Sequence, residues 1–128
     1  MSRYDPDCIF CKIAAGHIPA KLVYKNEHVV AFHDVNPVAP VHVLIIPLEH
    51  IPSLSHLTPD DTGIAANILL AARMVAEKTG VLDSGYRVVF NNGPDSLQSV
   101  GHIHAHLLGG KTMGWPPFPG REVLHGQD

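Results

Sequence analysis

The sequence predicts an α+β fold: an antiparallel sheet of about five strands with one long and one short helix. Short alternating or β-branched runs recur along the chain and are separated by turns that contain proline or glycine. One longer segment instead has helical periodicity, with a start signal before it and a glycine after it. Strands that follow one another with few helices are typical of this class, and we expect the helices on one side of the sheet.

The first elements are a short helix and a pair of strands. Residues 8–15 carry apolar side chains at helical spacing, and Gly16 ends the helix. Residues 21–24 and 28–34 have strand character, and residues 25–27 form a tight connection between them. These two strands therefore form a predicted hairpin.

A buried strand and the long helix follow. Residues 36–40 contain two prolines and must form a loop. Residues 41–46 are a nearly continuous β-branched run, which is typical of a buried strand. Thr58 is a hydroxyl N-cap for a helix over residues 59–79, which has proline at its first position and acidic residues in its first turn.

The last third of the chain contributes two more strands. Residues 86–90 form one, residues 91–100 form a polar loop, and residues 102–108 form the other. We expect residues 1–128 to be a single domain with its core at about 8–110 and an extended C-terminal tail at 111–128.

Composition excludes several classes of protein. The chain has 128 residues, 45% of them hydrophobic, which argues against disorder. Its formal charge of −3 provides no basic surface for a nucleic-acid polymer. The N-terminus lacks the apolar region of a signal peptide, and no apolar run is long enough for a membrane span. We therefore expect a cytoplasmic protein without a membrane partner.

Three histidines alternate with aliphatic residues in the last strand, so their rings are predicted to lie on one face. His102, His104 and His106 could be a polar surface face, could supply a ligand to a metal, or could act in nucleophilic and acid–base catalysis. The loop before them is rich in amides, hydroxyls and glycine, which suit phosphoryl oxygens but also occur in ordinary turns.

The two cysteines form a second candidate site. Cys8 and Cys11 are separated by two residues, a spacing that can clamp one side of a tetrahedral metal ion. Two more ligands would be needed, and the sequence spacing alone does not identify them. The alternative is that both thiols pack as small hydrophobic side chains.

Ordered motifs across most of the chain resemble those of the histidine-triad (HIT) superfamily, and within it the histidine-triad nucleotide-binding branch. The matching segments are Cys8-Ile9-Phe10-Cys11-Lys12-Ile13, Ile18-Pro19-Ala20-Lys21, Phe32-His33-Asp34, Ala39-Pro40-Val41-His42, Gln98 to Leu108, Gly109-Gly110 and Trp115-Pro116-Pro117. The resemblance implies a HIT-like fold and a homodimer in which the sheet continues across the two-fold axis.

The resemblance also implies an activity, the hydrolysis of purine nucleoside phosphoramidates. His104 would attack the α-phosphorus and form a nucleotidyl-histidine intermediate, while His106 would stabilise the developing charge. His42 would hydrogen-bond the other nitrogen of the nucleophile, in the manner of an orienting triad member, or else be a satisfied core histidine. Ser99 and Asn91 would bind the phosphate or the leaving group.

The remaining site residues are implied in the same way. Asp34 would accept hydrogen bonds from the ribose hydroxyls. The side chains that would contact the base, or else pack in the core, are Ile9, Phe10, Ile13, Phe32, His33 and Val35. Gln98 would complete the nucleotide site with Ser99, His104 and His106. His50 and His102 would join the two cysteines around one structural zinc ion; no organic cofactor is expected.

Two other functions stay open from the sequence. One is hydrolysis of dinucleoside polyphosphates, and the other is a nucleotide-binding regulatory zinc protein with little activity. The pair Ser96-Leu97 departs from the small residues that the family carries there, and leucine does not adopt positive φ cheaply. The approach to the phosphate, and hence leaving-group preference, depends on this loop.

Overall fold

The computed structural model describes residues 3–119, which form a five-stranded antiparallel sheet with two α-helices. The strands are β1 (Leu22–Lys25), β2 (Val29–His33), β3 (Val41–Pro47), β4 (Tyr86–Phe90) and β5 (Ala105–Gly109), and the helices are α1 (Ile9–Ala14) and α2 (Thr62–Lys78). The spatial order is β1-β2-β3-β5-β4. The predicted α+β class is therefore confirmed. Of the predicted tail, residues 120–128 lie outside the described residues.

The two helices lie on opposite faces of the sheet, so the expectation of helices on one side is wrong. Alternate residues of β2 and β3 separate into two cores: Val29, Ala31, Val43 and Ile45 pack with α2, whereas Val30, Phe32, Leu44 and Ile46 pack with α1. Both cores are apolar because β3 is buried along nearly its whole length. A strand that is apolar on both faces needs cover on both, which is the physical reason for a second layer.

Helix α2 begins as its sequence predicts. The hydroxyl of Thr58 accepts a hydrogen bond from the backbone of Asp60, and Asp61 accepts one in return from the backbone N–H of Thr58. This capping box satisfies donors that a helix start leaves unpaired. Pro59–Asp61 forms a 3₁₀ turn that leads into the α-helix, so the regular helix starts three residues later than predicted.

Strand β5 also starts three residues later than predicted, at Ala105. In the pairing register of β3 with β5, the residue opposite Ile103 is Pro47, which has no N–H to donate. The ladder stops there, and the N–H of Ile103 instead donates to the carbonyl of Ile51 at 2.6 Å. Only His106 of the three histidines therefore belongs to the regular strand, and His102 and His104 lie in the irregular segment before it.

Within residues 3–119, no helix is both long and apolar enough to cross a bilayer.

Candidate active site and metal centre

Four side chains converge at the start of α1 to form a candidate metal centre. Cys8, Cys11, His50 and His102 offer donor atoms that all lie within 4.8 Å of one another. The Sγ of Cys8 lies 3.4 Å from Nδ1 of His102, and the Sγ of Cys11 lies 3.3 Å from Nδ1 of His50 and 3.5 Å from that of His102. In a tetrahedral site with zinc-like bond lengths, a sulfur–nitrogen edge is about 3.5 Å. The cluster can therefore hold one metal ion with four protein ligands.

Surrounding groups fix these ligands in the orientation that a metal requires. The backbone N–H groups of Cys11 and Asp5 donate to the sulfurs of Cys8 and Cys11 at 3.3 and 3.5 Å. Nε2 of His102 donates to the carbonyl of Pro47 at 3.0 Å, which leaves the lone pair on Nδ1. Burial lowers the pKa of His102 to about 4, so the ring is neutral at pH 7.

The ring of His104 is held by the backbone of its neighbour. Its Nδ1 lies 2.8 Å from the carbonyl oxygen of His102, and this oxygen can only accept a hydrogen bond. The hydrogen of the neutral ring therefore sits on Nδ1, and Nε2 carries the free lone pair. Phe10 packs edge-on against this ring with centroids 5.1 Å apart, and His104 is buried. A ring held in this way can act as a nucleophile through Nε2.

A relay of hydrogen bonds sets the tautomer of His106. The backbone N–H of Val38 donates to Nδ1 of His42 at 3.1 Å, so the hydrogen of the neutral His42 ring sits on Nε2. That N–H donates to Nδ1 of His106 at 2.9 Å, which puts the hydrogen of His106 on Nε2. Nε2 of His106 is buried and has no hydrogen-bond partner among the described residues. His106 thus presents an unused N–H donor.

Both rings of this relay are neutral near pH 7. Burial, reinforced by the neighbouring rings of His104 and His42, lowers the pKa of His106 to about 4. Burial also lowers the pKa of His42, and the charge of Asp34 opposes that shift. The relay therefore acts through N–H dipoles and does not need a protonated imidazole.

The expected hydrogen bond from His42 to the nucleophile is wrong: His42 bonds His106. In the register, His106 lies opposite Leu44, two residues from His42, within reach of a diagonal cross-strand contact. Continued along the same register, His104 would lie opposite Ile46, four residues or about 13 Å from His42. The carbonyl of His102 takes the role expected of His42.

Asp34, the predicted ribose residue, lies next to this relay. Oδ2 of Asp34 is 3.4 Å from Nε2 of His42, and Oδ1 accepts from the backbone of Asn36 at 2.7 Å. Of the predicted base wall, Phe10 and Phe32 are buried and pack together, whereas Ile9, His33 and Val35 are exposed and Ile13 is half-buried. Contact of these side chains with a base stays a prediction.

The loop before the histidines is held by Gln98. Its amide oxygen accepts from the backbone of Gly93, and its amide nitrogen donates to the carbonyls of Pro52 and Val100. Both ends of this side chain are therefore engaged within the protein, so Gln98 shapes the site. Ser99 is exposed and Asn91 is half-buried on the same loop. Leu97 adopts the left-handed conformation with φ 64° and ψ 40°.

Sequence reasoning missed two backbone groups that set tautomers: the N–H of Val38 and the carbonyl of His102. Neither has a side-chain signal. The two prolines around Val38 gave the available hint, because they force the loop that brings its N–H to His42.

Comparison with known proteins places this architecture in one family. The model of the HIT domain matches residues 15–113. A 14 kDa zinc-binding protein of Zea mays is 47% identical over 115 residues, covering 88% of this chain and 89% of the relative. A HIT family hydrolase from Legionella pneumophila is structurally similar, with a TM-score of 0.85 at 47% identity over 88% of this chain and all of that one. A histidine triad nucleotide-binding protein from Candida albicans has a TM-score of 0.73 at 34% identity, over 92% and 86% of the two chains.

The domain match covers most of the chain, and the metal ligands and the three histidines lie within or beside it. The relatives match at high identity over nearly their whole lengths. The chain therefore belongs to the HIT family.

Proposed function

We propose that this protein hydrolyses purine nucleoside phosphoramidates through a nucleotidyl-histidine intermediate on His104. The observation that carries the proposal is the pair of fixed tautomers: a lone pair on Nε2 of His104 beside an unused N–H on Nε2 of His106. The centroids of these rings are 5.0 Å apart. At this separation, the nucleophile can attack the phosphorus while the donor hydrogen-bonds a non-bridging oxygen of the same phosphoryl group.

The chemistry has two balanced displacements. In the first, the Nε2 lone pair of His104 attacks the α-phosphorus, the bond from phosphorus to the amine breaks, and the amine departs with a proton from water. In the second, water attacks phosphorus and gives up a proton to the solvent while the bond to Nε2 breaks, which returns the electron pair to His104 and releases the nucleoside monophosphate. The N–H at Nδ1 of His104 donates to the carbonyl of His102 throughout, which holds the ring in place.

The neighbouring residues bind and orient the substrate. The N–H of His106 donates to the phosphoryl oxygen that gains charge, and His42 keeps that hydrogen on Nε2. Asp34 binds the ribose hydroxyls, and Ser99 and Asn91 bind the phosphate or the leaving group. The purine preference and the base wall rest on the resemblance to the nucleotide-binding branch.

We propose zinc as the metal of the Cys8, Cys11, His50 and His102 cluster. Two thiolates and two imidazoles are a donor set that zinc favours, and the maize relative is named for zinc binding. With these four protein ligands, the ion would anchor α1 structurally and would leave no coordination position for substrate. Elemental analysis of protein purified without chelator is expected to give one zinc per chain; a value far below one contradicts the proposal.

We also propose a cytoplasmic homodimer whose sheet continues from β4 of one protomer to β4 of the other. The support is that β4 lies at the edge of the sheet with every residue only half-buried. An edge strand of this kind leaves backbone groups ready to pair. Light scattering with size exclusion is expected to give twice the chain mass, and a stable monomer contradicts the proposal.

The function is tested with two substrates, one nucleotide ligand and a matched pair of variants. Adenosine phosphoramidate is expected to be turned over by the parent and by His28→Ala, an exposed histidine outside the site, but not by His104→Ala, which still binds the monophosphate. Faster turnover of a diadenosine polyphosphate would instead indicate a dinucleoside polyphosphate hydrolase. Monophosphate binding without turnover of either substrate would indicate a regulatory binding protein.

A further inference from the structure

A groove of about 620 Å³ lies beside the loop that precedes the histidines. One wall is the turn that contains Ser53 and His56, and the other is the loop that contains Ser99. The described lining residues are Pro52, Ser53, Ser55, His56, Asn92, Gly93, Pro94, Gln98, Ser99 and Gly101. His56 is the one titratable side chain among these lining residues, and it has no part in the mechanism given above.

Hydrogen bonds join the two walls of this groove. The backbone N–H of Ser55 donates to Oδ1 of Asn92 at 2.9 Å. The amide nitrogen of Gln98 donates to the carbonyl of Pro52, also at 2.9 Å. The turn and the loop are therefore one unit, so that a group on the turn has a defined position relative to Ser99.

The ring of His56 is itself held in place. Its Nδ1 lies 2.6 Å from the hydroxyl oxygen of Ser53, a residue that is only 8% exposed. An acceptor bound at Nε2 selects the tautomer with its hydrogen on Nε2, in which the Ser53 hydroxyl donates to Nδ1. His56 is an exposed residue, so this N–H is not needed for packing and is available to a ligand.

The strand order places the groove away from the proposed ribose ligand. Asp34, the proposed ribose ligand, follows β2, whereas the groove is walled by the loop after β4, and β3 and β5 lie between them. With the ribose held at Asp34, the groove lies on a side of the phosphoryl group that the nucleoside leaves free for the amine. Ser99 belongs both to the proposed phosphate site and to the groove.

We propose that His56 is a specificity-determining residue that binds a carboxylate on the amine leaving group. The inference rests on the proposed phosphoramidase function. An N–H donor in a groove whose other described lining residues carry no charge favours an anionic acceptor, and a carboxylate is the strongest acceptor that a biological amine commonly carries. The leaving groups preferred by this enzyme are thus amino-acid-like amines.

Two adenosine phosphoramidates test the inference, one made from glycine and one from propylamine, which has similar length but no carboxylate. The measured quantity is the ratio of their kcat/KM values. His56→Ala is expected to lower the glycine-to-propylamine ratio about five- to tenfold, the value of one hydrogen bond to a charged group in a partly exposed setting. Ser53→Ala is expected to lower it by about threefold, because the ring loses its anchor.

Two further variants distinguish binding from a structural effect. His56→Gln keeps a side-chain N–H donor and is expected to recover part of the ratio. His28→Ala, an exposed histidine outside the groove, is expected to leave the ratio at the parent value. Parent turnover of both substrates with a ratio that His56→Ala does not change overturns the role of His56. Failure of the parent to hydrolyse either substrate overturns the proposed function, and with it the inference.

Discussion

Replacing His42 by alanine tests the tautomer relay, because it removes the donor that keeps the hydrogen of His106 on Nε2. Without that donor the hydrogen is free to move to Nδ1, and Nε2 then turns a lone pair toward the phosphoryl oxygen. Loss of one preorganised donor to a developing oxyanion costs about 10²–10³ in kcat, or about 3–4 kcal/mol. We therefore expect kcat of His42→Ala to fall by that factor, with KM changing about threefold or less.

Steady-state kinetics with adenosine phosphoramidate give both constants, and ¹⁵N NMR of the imidazoles reports the tautomer of His106 directly. Glutamine at position 42 is the matched control, since its amide N–H can donate to Nδ1 of His106 and is expected to restore part of kcat. Because His42 is buried, thermal unfolding of both variants separates a folding defect from a kinetic one. A folded His42→Ala variant with kcat within threefold of the parent refutes the relay.

Three further predictions concern stability. Leu97→Asn is expected to raise the melting temperature by about 2–4 °C, because Leu97 is 82% exposed and its left-handed backbone costs about 1 kcal/mol more than the same conformation in asparagine. Leu54→Asn, an exposed control without positive φ, is not expected to raise the melting temperature. Equal effects of the two substitutions would contradict backbone strain at Leu97. Zinc chelation or Cys11→Ser is expected to lower the melting temperature by about 10 °C in calorimetry, and an unchanged value argues against an anchoring role. A hydrogen bond from Arg3 lowers the pKa of Asp61, so this carboxylate stabilises the fold at neutral pH and loses that effect below about pH 4. Denaturant unfolding is expected to show that the free energy of unfolding of Asp61→Asn falls less steeply in acid than that of the parent. An equal dependence on pH in the two proteins would contradict this role of Asp61.

The sequence was a good guide wherever a local signal determines structure. Thr58 and Pro59 predicted the start of the long helix, and the capping box forms there. The apolar run at residues 41–46 predicted a buried strand, which is observed as β3. The same run is apolar on both faces and so needs cover on both, but we expected the helices on one side, and that expectation is wrong.

Long-range register is what local patterns could not supply. The period of two placed the three histidines on one side, and the rings of His102 and His104 do both contact Phe10. The strand nevertheless begins at Ala105, because the register brings Pro47 opposite Ile103. The partner of His42 was missed for a similar reason, since it depends on which residues of β3 and β5 lie opposite each other.

The groove residue His56 had no sequence signal at all. It lies in a three-residue 3₁₀ turn, and its relation to Ser99 arises only when the turn and the loop are joined by Ser55 and Asn92. Sites that are assembled from two irregular segments in this way carry no periodicity that a sequence pattern could reveal.

The most direct test of the mechanism is mass spectrometry of the protein quenched in acid during turnover of adenosine phosphoramidate. The mechanism predicts a mass increase of one nucleotidyl group on the peptide that contains His104, absent in His104→Ala. A nucleotidyl group on a different residue would contradict the assignment of His104 as the nucleophile. Turnover by the parent without any adduct in rapid-quench samples would contradict it as well.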